Sequence, residues 1–416
     1  MVLDARVWDG ASGGVQQWII GLATAFSSLE ATGDEYLFLV NPGRGAWLEP
    51  FVSGAARIVT TGIPEQRQSR IASARSWLAR RLPGARARWH RLKGARTGGL
   101  AVPTSDGTVE RLGADVVHFT FQEAFITSVP SLYQPWDLQH LHLPEFFSAR
   151  ERAHRELTYR AFCAQATTVV TATSWVKRDV MAQYGIPEAR IAVVNVPPVT
   201  SAYPAATPEV IAAVRQRLNL PDRFVYYPAQ TWPHKNHARL FQALGRLRAE
   251  GLRVPLVCSG QPNWGQPAVL GAAREAGIDS DVLFVGFVTP VEVEALYRSA
   301  RALVFPSLYE GWGLPIVEAF QTGLPVTCSN VTSLPELVGD AGLVFDPGDA
   351  DAIASAIRRV WTDDALCAEL AQRGLARVGR FSWNQAALTL RAHYRAVAGW
   401  PADAQDRALL SAEPIV

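Results

Sequence analysis

The strongest constraint on this chain is an alternation: short runs of β-branched and aromatic residues, each followed by a stretch with helical periodicity. In the first half the runs are "MVLDARV", "YLFLV", "ADVVHFT", "ATTVVTAT" and "IAVVNV", and "GVQQWIIGLATAFSSLEA" and "SWVKRDVMAQYG" are helical patterns between them. Compact apolar runs alternating with amphipathic stretches predict βαβ units on a parallel sheet. A Pro- and Ala-rich segment, "VPPVTSAYPAATPEV" (196–210), interrupts the pattern and reads as a linker. A second series follows: "RFVYYPAQ", "VPLVCSG", "DVLFVGFV", "RALVFPS", "LPVTCSN" and "AGLVFDP", with helical periodicity in "ALYRSA" and "DADAIASAIRRVW". At 416 residues and 48% apolar content, the chain is long enough to fill two such cores. The expected fold is α/β, with two facing doubly wound parallel-sheet domains at 1–198 and 199–385. The amphipathic segment at 386–416 is expected to pack back on the first. Ligands of such sheets sit outside the carboxyl ends of the strands, so the cleft between the halves is the expected site.

The formal net charge of +2 is unevenly spread. Residues 66–97 hold nine Arg and one Lys without any Asp or Glu, which leaves the rest of the chain at −8. In "RQSRIASARSWLARRLPGARARWHRLKGAR" (67–96) the Arg flanks and Trp/Leu faces would suit an anionic bilayer surface, each basic residue contributing about 1 kcal/mol there. A solvated two-helix insertion, its apolar side packed on the domain, is the alternative. No nucleic-acid recognition module accompanies the charges, so nucleic acid is not an expected partner. No stretch approaches the roughly 18 to 20 apolar residues of a spanning helix, and the N-terminus lacks a charged region followed by an apolar core. A cytoplasmic location is expected, peripheral on the inner face of the membrane if the basic segment docks. Cys163, Cys258, Cys328 and Cys367 lie far apart, with no Cys-x-x-Cys pair and no Cys/His cluster. Neither a disulfide framework nor a metal site is expected, and buried free thiols are.

One segment carries chemistry. "PSLYEGWGLPIVEAF" (306–320) holds Glu310 and Glu318 with seven residues between them. "RALVFPS" reads as a buried strand, so Ser307 to Gly313 form the loop at its carboxyl end and Pro315 opens a helix through "IVEAFQTG". Glu310 then lies in the loop. Glu318 falls about one turn into the helix, where side chains tilt toward the N-terminus, so its carboxylate can lean toward the same cleft. Gly311 and Gly313 permit close backbone approach, and the free amides and positive dipole end at Gly313 to Ile316 suit an anion. A sugar-phosphate compound offers hydroxyls to both carboxylates and phosphate oxygens between them. Read alone, the segment also fits a plain strand, turn and helix with solvated glutamates. Two other segments add to it. The loop after "RFVYYPAQ" contains Pro233, His234, Lys235 and Asn236, from which a lysine can aim its ammonium at phosphates. "VWDGASGGVQQWIIGLA" places Gly13 and Gly14 where a loop meets a helix, another natural anion contact.

Together these pieces resemble family 4 of the retaining glycosyltransferases, whose GT-B fold has two facing Rossmann-like domains. The resemblance covers nearly the whole chain: "EGWGLPIVE", the family's E-x7-E element, "PHKN", "VLFVGFVTPVEVEALYRSARALVFPSLYEG", "TSLPELVGDAGLVFDP" and the Phe-Ser-Trp segment at 381–383. It implies transfer of a sugar from a nucleotide-sugar donor to a saccharide or lipid-linked acceptor, with retained anomeric configuration, no metal and no cofactor. Carried over, Glu310 would hold donor-sugar hydroxyls and stabilise charge at the reacting carbon, and Glu318 would take the ribose hydroxyls. Lys235 would neutralise the pyrophosphate, helped by amides near Gly311, Trp312, Gly313 and Leu314 and by Gly14 across the cleft. Backbone groups of Gly286, Phe287 and Val288 would lie against the base. Many members place an Arg about six residues before the phosphate lysine, where this chain has Ala229 and Gln230. Either His234 or another residue must then supply the second positive charge. The donor is expected to be GDP-mannose or a UDP-sugar, used in building a bacterial surface polysaccharide.

The first half should carry the acceptor. "DVVHFTFQEAF" puts His118 at a strand end, and "QPWDLQHLHLPEFF", which resembles a pattern in a subset of the family, puts Asp137, His140 and His142 near another. A neutral His could orient an acceptor hydroxyl, and Asp137 could accept its proton; any one of these histidines is also a plausible packing residue. His118 and Asp137 rank first, His140 next. A nucleotide-sugar epimerase of the same architecture is the alternative, and needs groups placed for proton abstraction on the donor sugar. A silent sugar-nucleotide-binding partner is disfavoured by the intact glutamates and Lys235. A nicotinamide dehydrogenase is disfavoured because no Gly-x-Gly-x-x-Gly follows the first strand.

Overall fold

The computed structural model describes residues 1–8, 13–29, 33–60, 100–199, 203 and 205–416. The basic segment 67–96, with its expected bilayer contact, lies outside them. Among the described residues the first half forms Val2–Asp4 (β1), Tyr36–Val40 (β2), Ala56–Thr60 (β3), Val117–Phe119 (β4), Ser131–Tyr133 (β5), Thr168–Thr171 (β6) and Ile191–Val193 (β7). All pair in parallel, in the order β3-β2-β1-β4-β5-β6-β7. The second half forms Val225–Pro228 (β8), Leu256–Ser259 (β9), Val282–Gly286 (β10), Ala302–Phe305 (β11), Val326–Ser329 (β12) and Gly342–Phe345 (β13). These too are parallel, in the order β10-β9-β8-β11-β12-β13.

The reason these segments are strands is visible in their burial. Every residue of β1, β4, β5, β9, β11 and β12 is buried, whereas the edge strands β3, β10 and β13 are only partly covered. Parallel strands buried on both faces select the near-continuous apolar runs seen in the sequence. Several helices between them begin on side-chain caps: Ser148 and Glu151 form a capping box before Ala149–Gln165, and Thr289 and Glu292 another before Pro290–Ser299. The four cysteines are free and buried.

Strand order reverses between β1 and β4 in one sheet and between β8 and β11 in the other. These are the switch points at which a doubly wound sheet opens a crevice for ligand. Near its end the chain returns to the first half through the helix Trp383–Val397. Its Trp383 ring lies over Gly21 of the helix Gly13–Ser28, where an added Cβ would fall 2.0 Å from the ring. Trp383 also meets the Trp18 ring at 5.6 Å and donates to the Pro198 carbonyl at 3.0 Å. The two halves touch directly: Thr173 donates to the Gly311 carbonyl at 3.4 Å, and Glu336 accepts from the Trp175 amide at 2.8 Å and pairs with Arg178 at 2.7 Å. Among the described residues no helix is long and apolar enough to cross a membrane.

Candidate active site

The loops leaving β8 and β11 are brought side by side because those strands are hydrogen-bonded neighbours at the switch point. The β8 loop is held rigidly. Its 3-10 turn, Pro233–Lys235, ends at Asn236 with φ +60, a left-handed conformation that Asn tolerates. The Asn236 amide donates to the carbonyls of Pro306 and Pro347 at 3.0 and 2.9 Å. Tyr227 donates to the Lys235 carbonyl at 2.6 Å, and the Leu308 amide to that of His234 at 2.8 Å. On the other side the Glu310 amide donates to Thr332 Oγ1 at 3.1 Å and its carbonyl accepts from Ser333 at 2.8 Å.

Between these two braced backbones, Lys235 Nζ lies 2.5 Å from Glu310 Oε1, with side chains only 18% and 14% exposed. In a charge pair this sheltered, each partner is costly to leave alone. Gly311 lies against the first half: an added Cβ would be 2.4 Å from the Trp136 carbonyl oxygen and 3.1 Å from the Asp137 side chain. Asp137 is thereby brought to the pair. Burial raises its pKa; Arg155 and Lys235 pull it down, and Glu310 pushes it up. Gly313, at φ +107, caps the helix Leu314–Gln321, which begins one residue before Pro315. Leu314 reaches across the cleft to within 3.7 Å of the position a Gly14 Cβ would take.

Other expected residues lie apart from this pair. Glu318 sits on the same helix, but its Oε2 accepts from Tyr297 at 2.8 Å, and burial pushes its carboxyl up to about 7. Gly286, Phe287 and Val288 leave the carboxyl end of the edge strand β10, two strands from β8, with Phe287 64% exposed. Trp312 is turned into the core against Phe381 at 5.5 Å, so only its backbone faces the loop's neighbours. Two expectations for the first half are revised. His118 is buried within β4 rather than at its end; its Nδ1 bonds to the Tyr394 hydroxyl at 2.7 Å, and burial holds its pKa down to about 3. His140 is buried between Tyr159, Tyr184 and Glu156, and burial lowers it to about 4. His234 is half-buried, and burial, with Lys235 adding, drives its pKa down to about 2.

The residue that sequence reasoning missed is Arg155. It stands on Ala149–Gln165 with Phe147 under its guanidinium at 4.7 Å, and its charge acts on both Asp137 and His234. It also lines a cavity of about 870 Å³ at the carboxyl ends of β1, β2 and β4, together with Asp4, Arg6, Trp8, Phe121 and Glu123. The Ser148–Glu151 capping box was the available signal, since it fixes the helix start and hence the face that Arg155 shares.

Residues 209–377 match the family described as glycosyl transferases group 1. The O-antigen chain mannosyltransferase B of Escherichia coli is 34% identical over 243 residues, covering 58% of this chain and 64% of that protein. The serotype-specific mannosyltransferase WbdA of Escherichia coli is 36% identical over 182 residues, covering 43% of this chain and 22% of that protein. The chain therefore spans under two thirds of the first relative and about a fifth of the second. Among solved structures, Anabaena Alr3699/HepE in complex with UDP and glucose superimposes with a TM-score of 0.67 at 17% identity, over 95% of this chain and 99% of that one. That likeness concerns the fold. Residues 209–377 thus match the group 1 glycosyl transferases, mannosyltransferases stand among the chain's relatives, and its two facing parallel sheets give it the GT-B fold.

Proposed function

We propose that this chain is a retaining hexosyltransferase that moves a mannose from GDP-mannose to a saccharide or lipid-linked saccharide acceptor. The Lys235–Glu310 pair at 2.5 Å across the β8/β11 switch point carries the reading, and the mannosyltransferase relatives support the choice of sugar. Residues 1–198 hold the acceptor and 199–385 the donor. Lys235 neutralises the diphosphate, with Arg155 as the second cation in place of the neutral His234. Competition by the diphosphate for the Lys235 ammonium frees Glu310 for the sugar hydroxyls, where its charge favours the positive character developing at the anomeric carbon. Glu318 takes the ribose hydroxyls, and Asp137 orients the acceptor. The acceptor oxygen bonds to the anomeric carbon on the face from which the phosphate departs, and the departing phosphate oxygen takes the acceptor proton. No enzyme nucleophile or metal is involved in these steps.

Thermal-shift measurement with GDP-mannose, UDP-sugars and ADP-sugars tests the donor: stabilisation grows with the ratio of ligand concentration to Kd, so the true donor raises Tm most. Incubation with donor and a mannose-terminated oligosaccharide should then release GDP and give an α-linked product by NMR. GDP release independent of acceptor, or a product of inverted configuration, would refute the mechanism. Glu310→Ala should lower kcat far more than nucleotide affinity, and Glu318→Ala the reverse.

A further inference from the structure

We infer that Tyr309 is a positioning residue for the transfer proposed above, on which the inference rests: its ring latches the loop carrying Glu310 into a socket on the opposite half and fixes Glu310 relative to Asp137. Tyr309 belongs to the loop after β11 in the second half, yet it is only 2% exposed. What covers it belongs to the first half. The His142 ring lies 5.4 Å away, and the Trp175 ring 5.6 Å away at 82°. The Tyr309 hydroxyl accepts from the Leu138 amide at 3.3 Å and donates to Asp179 Oδ2 at 3.4 Å.

The socket is braced by its own bonds. His142 Nε2 lies 2.9 Å from both oxygens of Asp179, whose side chain is 6% exposed. Trp175 and Asp179 are four residues apart on the helix Ser174–Tyr184 and so share a face. The Tyr309 bonds are at the long end of the hydrogen-bonding range, so the buried ring supplies most of the hold and the hydroxyl sets its direction.

Placement makes this a latch and not merely packing. The hydroxyl binds the amide of Leu138, one residue after Asp137, while the Tyr309 backbone is one residue before Glu310. Gly311, on the other side of Glu310, is pinned to the first half through Thr173 and against the Trp136 carbonyl. Residues 309 and 311 therefore turn to the first half while Glu310 between them turns to Lys235. Withdrawing Tyr309 would leave Glu310 paired with Lys235 but no longer registered against Asp137.

The test uses the full-length chain. Tyr309→Ala should lower kcat on the order of 100-fold, the effect of misplacing a reacting group by about 1 Å, with the donor KM raised by a smaller factor. Asp179→Asn, which keeps every ring, should lower it in the same direction by a smaller factor. In a Glu310→Gln background Tyr309→Ala should change the residual rate less than about twofold, because the residue it positions is gone. Equal losses in both backgrounds, or a raised donor KM with unchanged kcat, would overturn the positioning role. A second readout needs no turnover: spin labels on Ala164→Cys and Ser355→Cys, one exposed site on each half, should report longer separations in Tyr309→Ala and Asp179→Asn. Unchanged separations refute the latch even if the unaltered chain transfers no sugar, a result that would instead refute the function proposed.

Discussion

Replacing Glu318 with Gln should make the chain's stability less sensitive to pH, by an amount the structure sets. Burial raises the Glu318 carboxyl from 4.5 to about 7, opposed in part by the bond from Tyr297. The folded state thus holds this proton more tightly than the unfolded chain does. The contribution is fully present below about pH 4.5, shrinks as pH rises and is lost above about pH 7. At about 1.36 kcal/mol per pH unit, that interval corresponds to about 3 kcal/mol. Glu318→Gln has the same shape, keeps an oxygen to accept from Tyr297, and does not titrate. Urea unfolding of both proteins at pH 4.5 and pH 8 is the assay, and the difference between them cancels the other titrating groups. Relative to its difference at pH 4.5, the variant should gain about 3 kcal/mol at pH 8. With unfolding slopes of about 1–3 kcal/mol per M urea, the midpoints should separate by about 1–3 M. A difference that stays flat from pH 4.5 to 8 would show that Glu318 is as well solvated in the folded protein as in the unfolded one, and the reasoning from its burial would fail.

Gly311→Ala should reduce turnover on the order of 100-fold, since its Cβ would meet the Trp136 carbonyl oxygen at 2.4 Å and must push the halves apart; Gly271→Ala, with open space around it, should leave turnover unchanged. Lys235→Ala and Glu310→Ala should each cost about 1–3 kcal/mol in thermal unfolding by stranding a sheltered charge, and the double variant should cost less than their sum. Arg155→Ala should weaken binding of the donor diphosphate, read by calorimetry, more than that of the nucleoside alone; equal effects would remove it from the phosphate site.

Both sheets were legible because their central strands are buried on both faces, which imposes apolar runs that a sequence cannot hide. Lys235 and Glu310 were legible for a related reason. Each follows a recognisable strand, and the reversal of order at the switch point makes those two strands neighbours. The histidines were not. His118 was read as a strand-end residue, but it lies inside β4, and with a side-chain period of two, one residue decides whether a ring faces the cleft or the core. Glu318 was placed on the correct helix, yet its partner Tyr297 arrives from a different helix 21 positions earlier, a contact that no local spacing encodes. Trp136, at φ +66, is a bulky residue in a region that local propensity disfavours. Its carbonyl, pressed on Gly311, exists only once the halves have met.

What separates the legible from the illegible is therefore the cleft itself. Everything that one sheet determines, including strand order, the loop of Lys235 and the loop of Glu310, follows from patterns within that sheet. The contacts of Tyr309 and Gly311 depend on the two halves being together, and they flank the residue that forms the one ion pair. A diphosphate brings about two negative charges to a lysine already matched by a carboxylate, and burial holds the pKa of the neighbouring His234 low. On the function proposed above, the remaining positive charge comes from Arg155 on the other half. Donor binding and domain contact are then thermodynamically linked: whatever holds the halves together strengthens diphosphate binding, and the diphosphate must strengthen their contact by the same free energy.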